Sequence, residues 1–244
     1  MAWLRRADSR RGYSCDLCGR EVFAYPARRI CEPCENKLEE NGARVCPKCG
    51  RRTVAEGVCL HCKATPPAFY LGCSAFVYDG EVATTINALK EGKRRLSYYL
   101  GEKTAERLLE RHRELFFQTE WIVLPIPMTE RARKKRGYNQ AEELAKVLFS
   151  KLESAGVNAA IALDALQKRR ETVAQKGLRA QSRKENVSGA YHLHQRAIFR
   201  GKNVLLIDDI MTTGATGDEC AKLLASAGAK KVVLCTVAAT PEIP

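Results

Sequence analysis

Asn203-Val-Leu-Leu-Ile-Asp208-Asp209-Ile-Met-Thr212-Thr213-Gly214-Ala215-Thr216 is the stretch that decides the fold. Val204 to Ile207 is a short apolar run suited to a parallel strand buried on both faces. Two adjacent carboxylates form an acidic tip, and a Thr/Gly-rich turn then opens a helix with Ala221, Leu223, Leu224 and Ala227 on its apolar face. That helix ends at Gly228, and Lys231 to Val237 is a second apolar strand, so the unit is a right-handed strand-helix-strand crossover of an α/β fold.

The turn carries the chemistry. Thr212, Thr213, Gly214, Ala215 and Thr216 place free backbone N–H groups and three hydroxyls at a helix N-terminus, where the helix dipole favours an anion. Gly214 has no Cβ to hold a phosphate off the backbone. No Lys follows in the pattern of a nucleoside-triphosphate P-loop. Asp208 and Asp209 would repel a phosphate but accept hydrogen bonds from vicinal sugar hydroxyls. A phosphate end beside a diol end describes a ribose 5-phosphate.

Upstream, residues 70 to 78 read as a strand, and helical spacing follows through Val82, Ile86 and Leu89 and again from Leu96 to Leu109. The turn between them, Lys90 to Arg95, is basic and suits either an anion or plain solvent. Trp121-Ile-Val-Leu-Pro125-Ile-Pro127 reads as a buried strand broken by prolines. The basic stretch after it holds Arg131, Arg133, Arg136, Gly137, Tyr138, Asn139 and Gln140, and reads as a loop beyond a strand end, where α/β sheets gather ligands. Asn139 also suits the cap of the following helix, whose apolar face is Ala141, Leu144, Ala145, Leu148 and Leu152. Ala159 to Leu166 reads as a short edge strand. Residues 168 to 184 then hold seven Lys and Arg, Arg169 and Arg183 among them, against one acid, in a connection too long for an inert spacer.

Four C-x-x-C pairs occupy the N-terminal part: Cys15/Cys18, Cys31/Cys34, Cys46/Cys49 and Cys59/Cys62. Each knuckle presents two thiolates on one tight turn, and two knuckles supply the four soft ligands of a structural Zn²⁺ site. The spacing favours two zinc sites grouped in sequence order and leaves an interleaved grouping open. Gly19 and Gly50 each follow the second cysteine of a knuckle, where the chain must turn with positive φ. Residues 1–14 read as a flexible leader, 15–68 as a double zinc-ribbon-like domain, and 69–244 as a separate larger domain beyond the stiff Pro66-Pro67 link.

The formal charge of +13 is unevenly spread: residues 1–68 hold 13 Lys and Arg against 8 Asp and Glu, an excess that two tetrathiolate zinc centres would nearly cancel. The basic surplus therefore sits in the larger domain, where it suits a polyanion. No apolar run approaches the ~20 residues that span a bilayer, and the first residues lack a signal-peptide core, so no membrane insertion and a cytoplasmic location are expected.

Val204 to Thr216 resembles the thirteen-residue motif of type I phosphoribosyltransferases. The cysteine knuckles, the Leu89 to Lys93 turn, Pro125-Ile-Pro127 with Arg136-Gly137-Tyr138-Asn139-Gln140, and Arg169, Thr172, Gln175, Arg183, Asn186 and Gly189 extend the likeness to the ComF family of competence-associated proteins. The resemblance implies a type I phosphoribosyltransferase fold, a mostly parallel sheet flanked by helices, with phosphoribosyl pyrophosphate and Mg²⁺ as ligands. It implies that Asp208 and Asp209 hold the ribose hydroxyls and Thr212 to Thr216 the 5-phosphate. The loop after Pro127 would meet pyrophosphate, and the segment around 168–189 would close over it. Two functions follow: transfer of the ribosyl phosphate to an unnamed acceptor, linked to DNA uptake, or a non-catalytic accessory that binds single-stranded DNA and DNA-uptake proteins. Tyr98, Tyr99 and Tyr138 among the basic loops would serve the second by stacking on bases.

Overall fold

The computed structural model describes residues 13–22, 29–169 and 189–242. Around the first knuckle, β1 (Tyr13–Ser14) and β2 (Glu21–Val22) form an antiparallel pair, so the last two residues of the expected leader belong to this turn. Helices α1 (Glu32–Glu35) and α2 (Leu60–Ala64) carry the second and fourth knuckles. Then follow β3 (Leu71–Val77), α3 (Gly80–Lys90), α4 (Leu96–Phe117), β4 (Trp121–Pro125), α5 (Glu130–Arg136), α6 (Gln140–Ser154) and β5 (Ala159–Ile161). A small antiparallel hairpin of β6 (Leu166–Lys168) and β7 (Tyr191–Leu193) precedes β8 (Asn203–Met211), α7 (Ala215–Ser226) and β9 (Lys231–Ala239).

The five long-range strands form one parallel sheet in the order β3-β9-β8-β4-β5. Its strands are apolar on both sides because both faces are covered. The buried stripes of α3, α4 and α6 pack on one face together with Cys15, Ile30 and Leu38. The other face holds α7, the β6–β7 hairpin and the cysteines from Cys46 to Cys62. Crossovers run outward in opposite senses from the centre, β4 through α6 to β5 and β8 through α7 to β9, so the switch point lies between β4 and β8.

The cysteine-bearing segment also covers the free edge of β3. Val77 N–H donates to Glu39 O at 2.9 Å, Asn41 N–H to Ala75 O at 2.7 Å, and Gly72 N–H to Lys48 O at 2.9 Å. This pairing satisfies an edge that would otherwise be open to another chain.

Three expectations change. The strand expected over 204–207 runs to Met211, because β9 extends far enough to pair Asp208 with Thr236 and Met211 with Ala239. The acidic pair thus lies inside the strand rather than after it. The basic stretch after Pro127 is not a loop throughout: α5 is capped by Thr129, whose Oγ1 accepts from Ala132 N–H, and stops at Gly137, left-handed at φ 85°. Residues 159 to 166 are not one strand, since β5 ends at Ile161 and Leu166 already belongs to the hairpin.

Candidate functional site

β4 stops pairing with β8 at Pro125↔Ile207, and Ile126 N–H makes a last bond to Ile207 O at 2.8 Å. Beyond that point one side of β8 is released while β9 still pairs with the other, and the crevice opens where Asp208 and Asp209 stand. Asp209 is buried; its Oδ2 accepts from Gln140 Nε2 at 3.0 Å and faces Lys90 Nζ at 2.9 Å. Asp208 is half-buried, and its Oδ1 accepts the Asp209 N–H at 2.9 Å. Desolvation, reinforced by the neighbouring Asp209 carboxylate, pushes the Asp208 carboxyl well above the usual carboxylate range, while the Asp209 N–H and Lys90 pull the other way. An acid in this state gains by meeting hydroxyl donors or a cation.

The anion cradle follows directly. Gly214 is left-handed at φ 81° and starts α7, whose first internal bond runs from Asp218 N–H to Gly214 O at 2.9 Å. The N–H groups of Thr216 and Gly217 therefore have no intrahelical acceptor and, among the described residues, emerge at the helix end, while Ala215 N–H is taken by Thr213 Oγ1 at 3.3 Å. A cavity at this end is lined by Asp208, Thr212, Gly214, Thr216 and Thr236. Gly217 lets α7 approach the sheet, because a Cβ there would meet Leu234 Cδ2 at 2.5 Å.

The structure brings Gln140 to the acidic pair and leaves the α5 residues around it. Arg136 donates to Gln140 Oε1, and Arg133 pairs with Glu142 through Nη1–Oε1 at 2.7 Å and Nη2–Oε2 at 3.2 Å. Asn139 caps α6 by accepting from Ala141 N–H at 3.1 Å and ties that cap to Ile126 O through Nδ2 at 3.2 Å. Gly137 ends α5 and carries no side chain to the site. Arg131, Arg133, Lys168 and Arg169 line a groove of about 500 Å³ between α5 and the hairpin, next to the crevice. Arg183, with Thr172, Gln175 and Asn186, lies outside the described residues.

Of the basic turn before α4, only Lys90 meets the acidic pair. Lys93 Nζ bonds to Leu17 O, Arg94 pairs with Glu143 at 2.7 Å, and Arg95 with Asp16 at 3.4 Å. The tyrosine platform does not form: Tyr138 is buried with its hydroxyl on Leu89 O, and Tyr99 is buried with its hydroxyl on Glu35 at 3.2 Å. Tyr98 remains exposed under Arg29, whose guanidinium lies 4.6 Å from the ring centre.

The cysteines group in sequence order. Cys15, Cys18, Cys31 and Cys34 form one cluster and Cys46, Cys49, Cys59 and Cys62 the other, with the sulfur atoms of each within 4.8 Å of one another. Backbone N–H groups point at sulfur in both, from Cys18 and Cys31 to Cys15 and from Cys59 to Cys46, each at 3.4 Å. Burial opposes ionisation of Cys15, but these N–H groups override it and bring the thiol down to about 6. In the second cluster burial and the nearby Cys46 push Cys49 up to about 11 against the pull of Arg51. One easily ionised thiol crowded by three others is a donor set that fits a soft divalent cation. Cys73, Cys220 and Cys235 are buried elsewhere and their thiols are pushed up by that burial.

Sequence reasoning missed Arg51. It is buried, donates Nε–H to Cys49 Sγ at 3.4 Å, and donates from Nη2 to Thr212 O at 2.8 Å. Only its place beside a knuckle glycine could have singled it out.

An acidic pair inside the switch-point strand is thus followed, within three residues, by a turn that opens a helix N-terminus. Residues 100–243 match the family model of the phosphoribosyl transferase domain, and the chain belongs to that family. The DNA utilization protein YhgH of Escherichia coli (strain K12) is 27% identical over 220 residues, covering 89% of this chain and 93% of its own. Competence protein ComFC of Bacillus subtilis (strain 168) is 25% identical over 225 residues, covering 88% of this chain and 86% of its own. With the domain match, such relatives place the chain in the ComF family within that class. Among solved structures, the glutamine phosphoribosylpyrophosphate amidotransferase of B. subtilis, complexed with ADP and GMP, is 17% identical with a TM-score of 0.34, covering 57% of this chain and 25% of that one.

Proposed function

We propose that this protein binds phosphoribosyl pyrophosphate with Mg²⁺ in the crevice between β4 and β8, holds Zn²⁺ in each cysteine cluster, and serves DNA uptake. The observation that carries the ligand is the continuity of Asp208-Asp209 with Thr212 to Thr216, which sets a diol acceptor next to a phosphate cradle. Asp208 and Asp209 take the ribose hydroxyls, with Gln140 and Lys90 fixing Asp209. Thr213, Gly214 and Thr216 take the 5-phosphate at the α7 N-terminus. Arg131, Arg133 and Arg136 on α5 and Arg169 at the hairpin supply positive potential on the pyrophosphate side. Mg²⁺, a hard cation, supplies charge neutralisation on the pyrophosphate oxygens when bound.

Calorimetric titration with phosphoribosyl pyrophosphate and Mg²⁺ tests the ligand: the protein binds, and Asp208→Asn with Asp209→Asn removes the binding. Equal affinity in that double variant would sink the assignment. The names of the relatives, a competence protein and a DNA utilization protein, support the DNA-uptake role. Cells carrying the double variant should lose transformation or DNA use in proportion to lost ligand binding. Unchanged uptake with ligand binding abolished would detach the role from the site.

A further inference from the structure

The second cysteine cluster and the phosphate cradle are joined by a single buried side chain. Arg51 reaches Cys49 Sγ with one edge of its guanidinium group and the Thr212 carbonyl with the other, across 161 positions of chain. The cluster cannot drift relative to the sheet, because Gly50 and Gly72 interlock: a Cβ on Gly50 would lie 2.3 Å from Gly72 O, and one on Gly72 2.5 Å from Cys49 O. A second tie runs from Ala68 N–H to Asp218 Oδ1 at 2.5 Å, on the first turn of α7.

A trans peptide directs its C=O and N–H to opposite sides. Holding the Thr212 carbonyl on the guanidinium therefore turns the Thr213 N–H away from the cysteine cluster and fixes the face that the turn offers to an anion. We propose that Arg51 is a positioning residue that couples metal occupancy of the Cys46/Cys49/Cys59/Cys62 cluster to the affinity of the cradle for a sugar 5-phosphate. This rests on the phosphoribosyl reading of the cradle. A bound divalent ion would hold Cys49 Sγ in place and leave the four thiolates a net negative charge, so that Arg51 stays on Cys49 and aimed at Thr212. Coupling of this kind is reciprocal, so a bound 5-phosphate also retains the metal.

The test uses the zinc-loaded full chain, titrated separately with ribose 5-phosphate and with Mg²⁺-pyrophosphate, in wild type and Arg51→Met. Loss of one charged hydrogen bond to the turn weakens ribose 5-phosphate by about tenfold and leaves Mg²⁺-pyrophosphate unchanged, since that ligand meets other residues. Zinc transfer to a colorimetric chelator gives the second readout: ribose 5-phosphate slows it in the wild type and not in Arg51→Met. A wild type that binds ribose 5-phosphate, with Arg51→Met binding it within twofold, overturns the coupling alone. Zinc release unaffected by the sugar phosphate in a binding wild type does the same. A wild type that fails to bind ribose 5-phosphate overturns the cradle reading and the coupling with it. Should Arg51→Met lose its metal on purification, Arg51→Lys replaces it, keeping a donor for Thr212 without the simultaneous contact to Cys49. It retains ribose 5-phosphate affinity within about threefold but loses the ligand-dependent slowing, and retained slowing overturns the proposal.

Discussion

Replacing Gly72 by Ala tests whether the second cysteine cluster is keyed to the sheet. The new Cβ would sit 2.5 Å from Cys49 O, 2.8 Å from its carbonyl carbon and 3.1 Å from its Cα, all backbone atoms with no rotamer to move aside. To reach the 3.0 Å below which real Cβ contacts essentially never fall, the knuckle must retreat by about 0.5 Å. That retreat stretches the 2.9 Å bond from Gly72 N–H to Lys48 O, which lies on the same knuckle. Overpacking of this kind costs ~1–3 kcal/mol and the weakened bond ~1 kcal/mol. Stiffening of the unfolded chain by Ala offsets roughly 0.4–1 kcal/mol. The net is about 2 kcal/mol of destabilisation, which for a chain of this size lowers Tm by ~4–8 °C. Thermal scans at fixed zinc measure it, with Gly42→Ala as control, since its Cβ would meet nothing within 4 Å. Chelator-triggered zinc release should quicken for the second cluster only. A Gly72→Ala protein as stable as the control, or more so, would refute the interlock.

The raised Asp208 carboxyl gives folding a pH dependence of definite sign. Its folded value lies above its unfolded one, so the native state binds more protons and stability falls as pH rises from the ordinary carboxylate range through the folded value. Urea midpoints taken from about pH 5 to about pH 9 should show that decline, and Asp208→Asn should flatten it. Lys90→Met removes both the 2.9 Å partner of Asp209 and a cation that holds Asp208 down, so the same decline should extend to higher pH; an unchanged profile would deny the contact. Cys49 is pushed up to about 11 without metal, so zinc uptake by the stripped chain must release protons and weaken on acidification. Calorimetry in buffers of different ionisation enthalpy measures the release, and its absence would remove these thiols from the ligand set.

What could be read in the sequence was what local pattern determines. The strand read over 70–78 became β3 with 71–77 buried, the apolar run at 204–207 and the helical face of Ala141, Leu144, Ala145, Leu148 and Leu152 became buried parts of their elements, and the Thr/Gly-rich turn opens a helix as expected. The extension of β8 through Asp208-Asp209 could not be read, because carboxylates signal a strand end unless a neighbour such as β9 is long enough to pair past them. Helix α5 was hidden by its lack of an apolar stripe, though Thr129 as cap and Gly137 as stop were both present. The knuckle grouping was undetermined because the loops between knuckles are similar in length, 12, 11 and 9 residues. Arg51 was invisible because its partner lies 161 positions away.

These long-range features share one physical origin. Pro125 and Pro127 flank the last residue that β4 can tie to β8, so, among the described residues, β8 continues with one edge unpaired for four residues, and those residues include the acidic pair. A half-paired strand end is stabilised on its other side by β9, which in turn leans on β3. Among the described residues, the outer edge of β3 is held by the cysteine-bearing segment, through Glu39, Asn41 and Lys48. The cysteine clusters therefore do more than fold their own turns. They close the far edge of the sheet, away from the side of β8 that opens at Asp208, and Arg51 carries that bracing to Thr212, the residue at which the strand gives way to the turn proposed as the cradle.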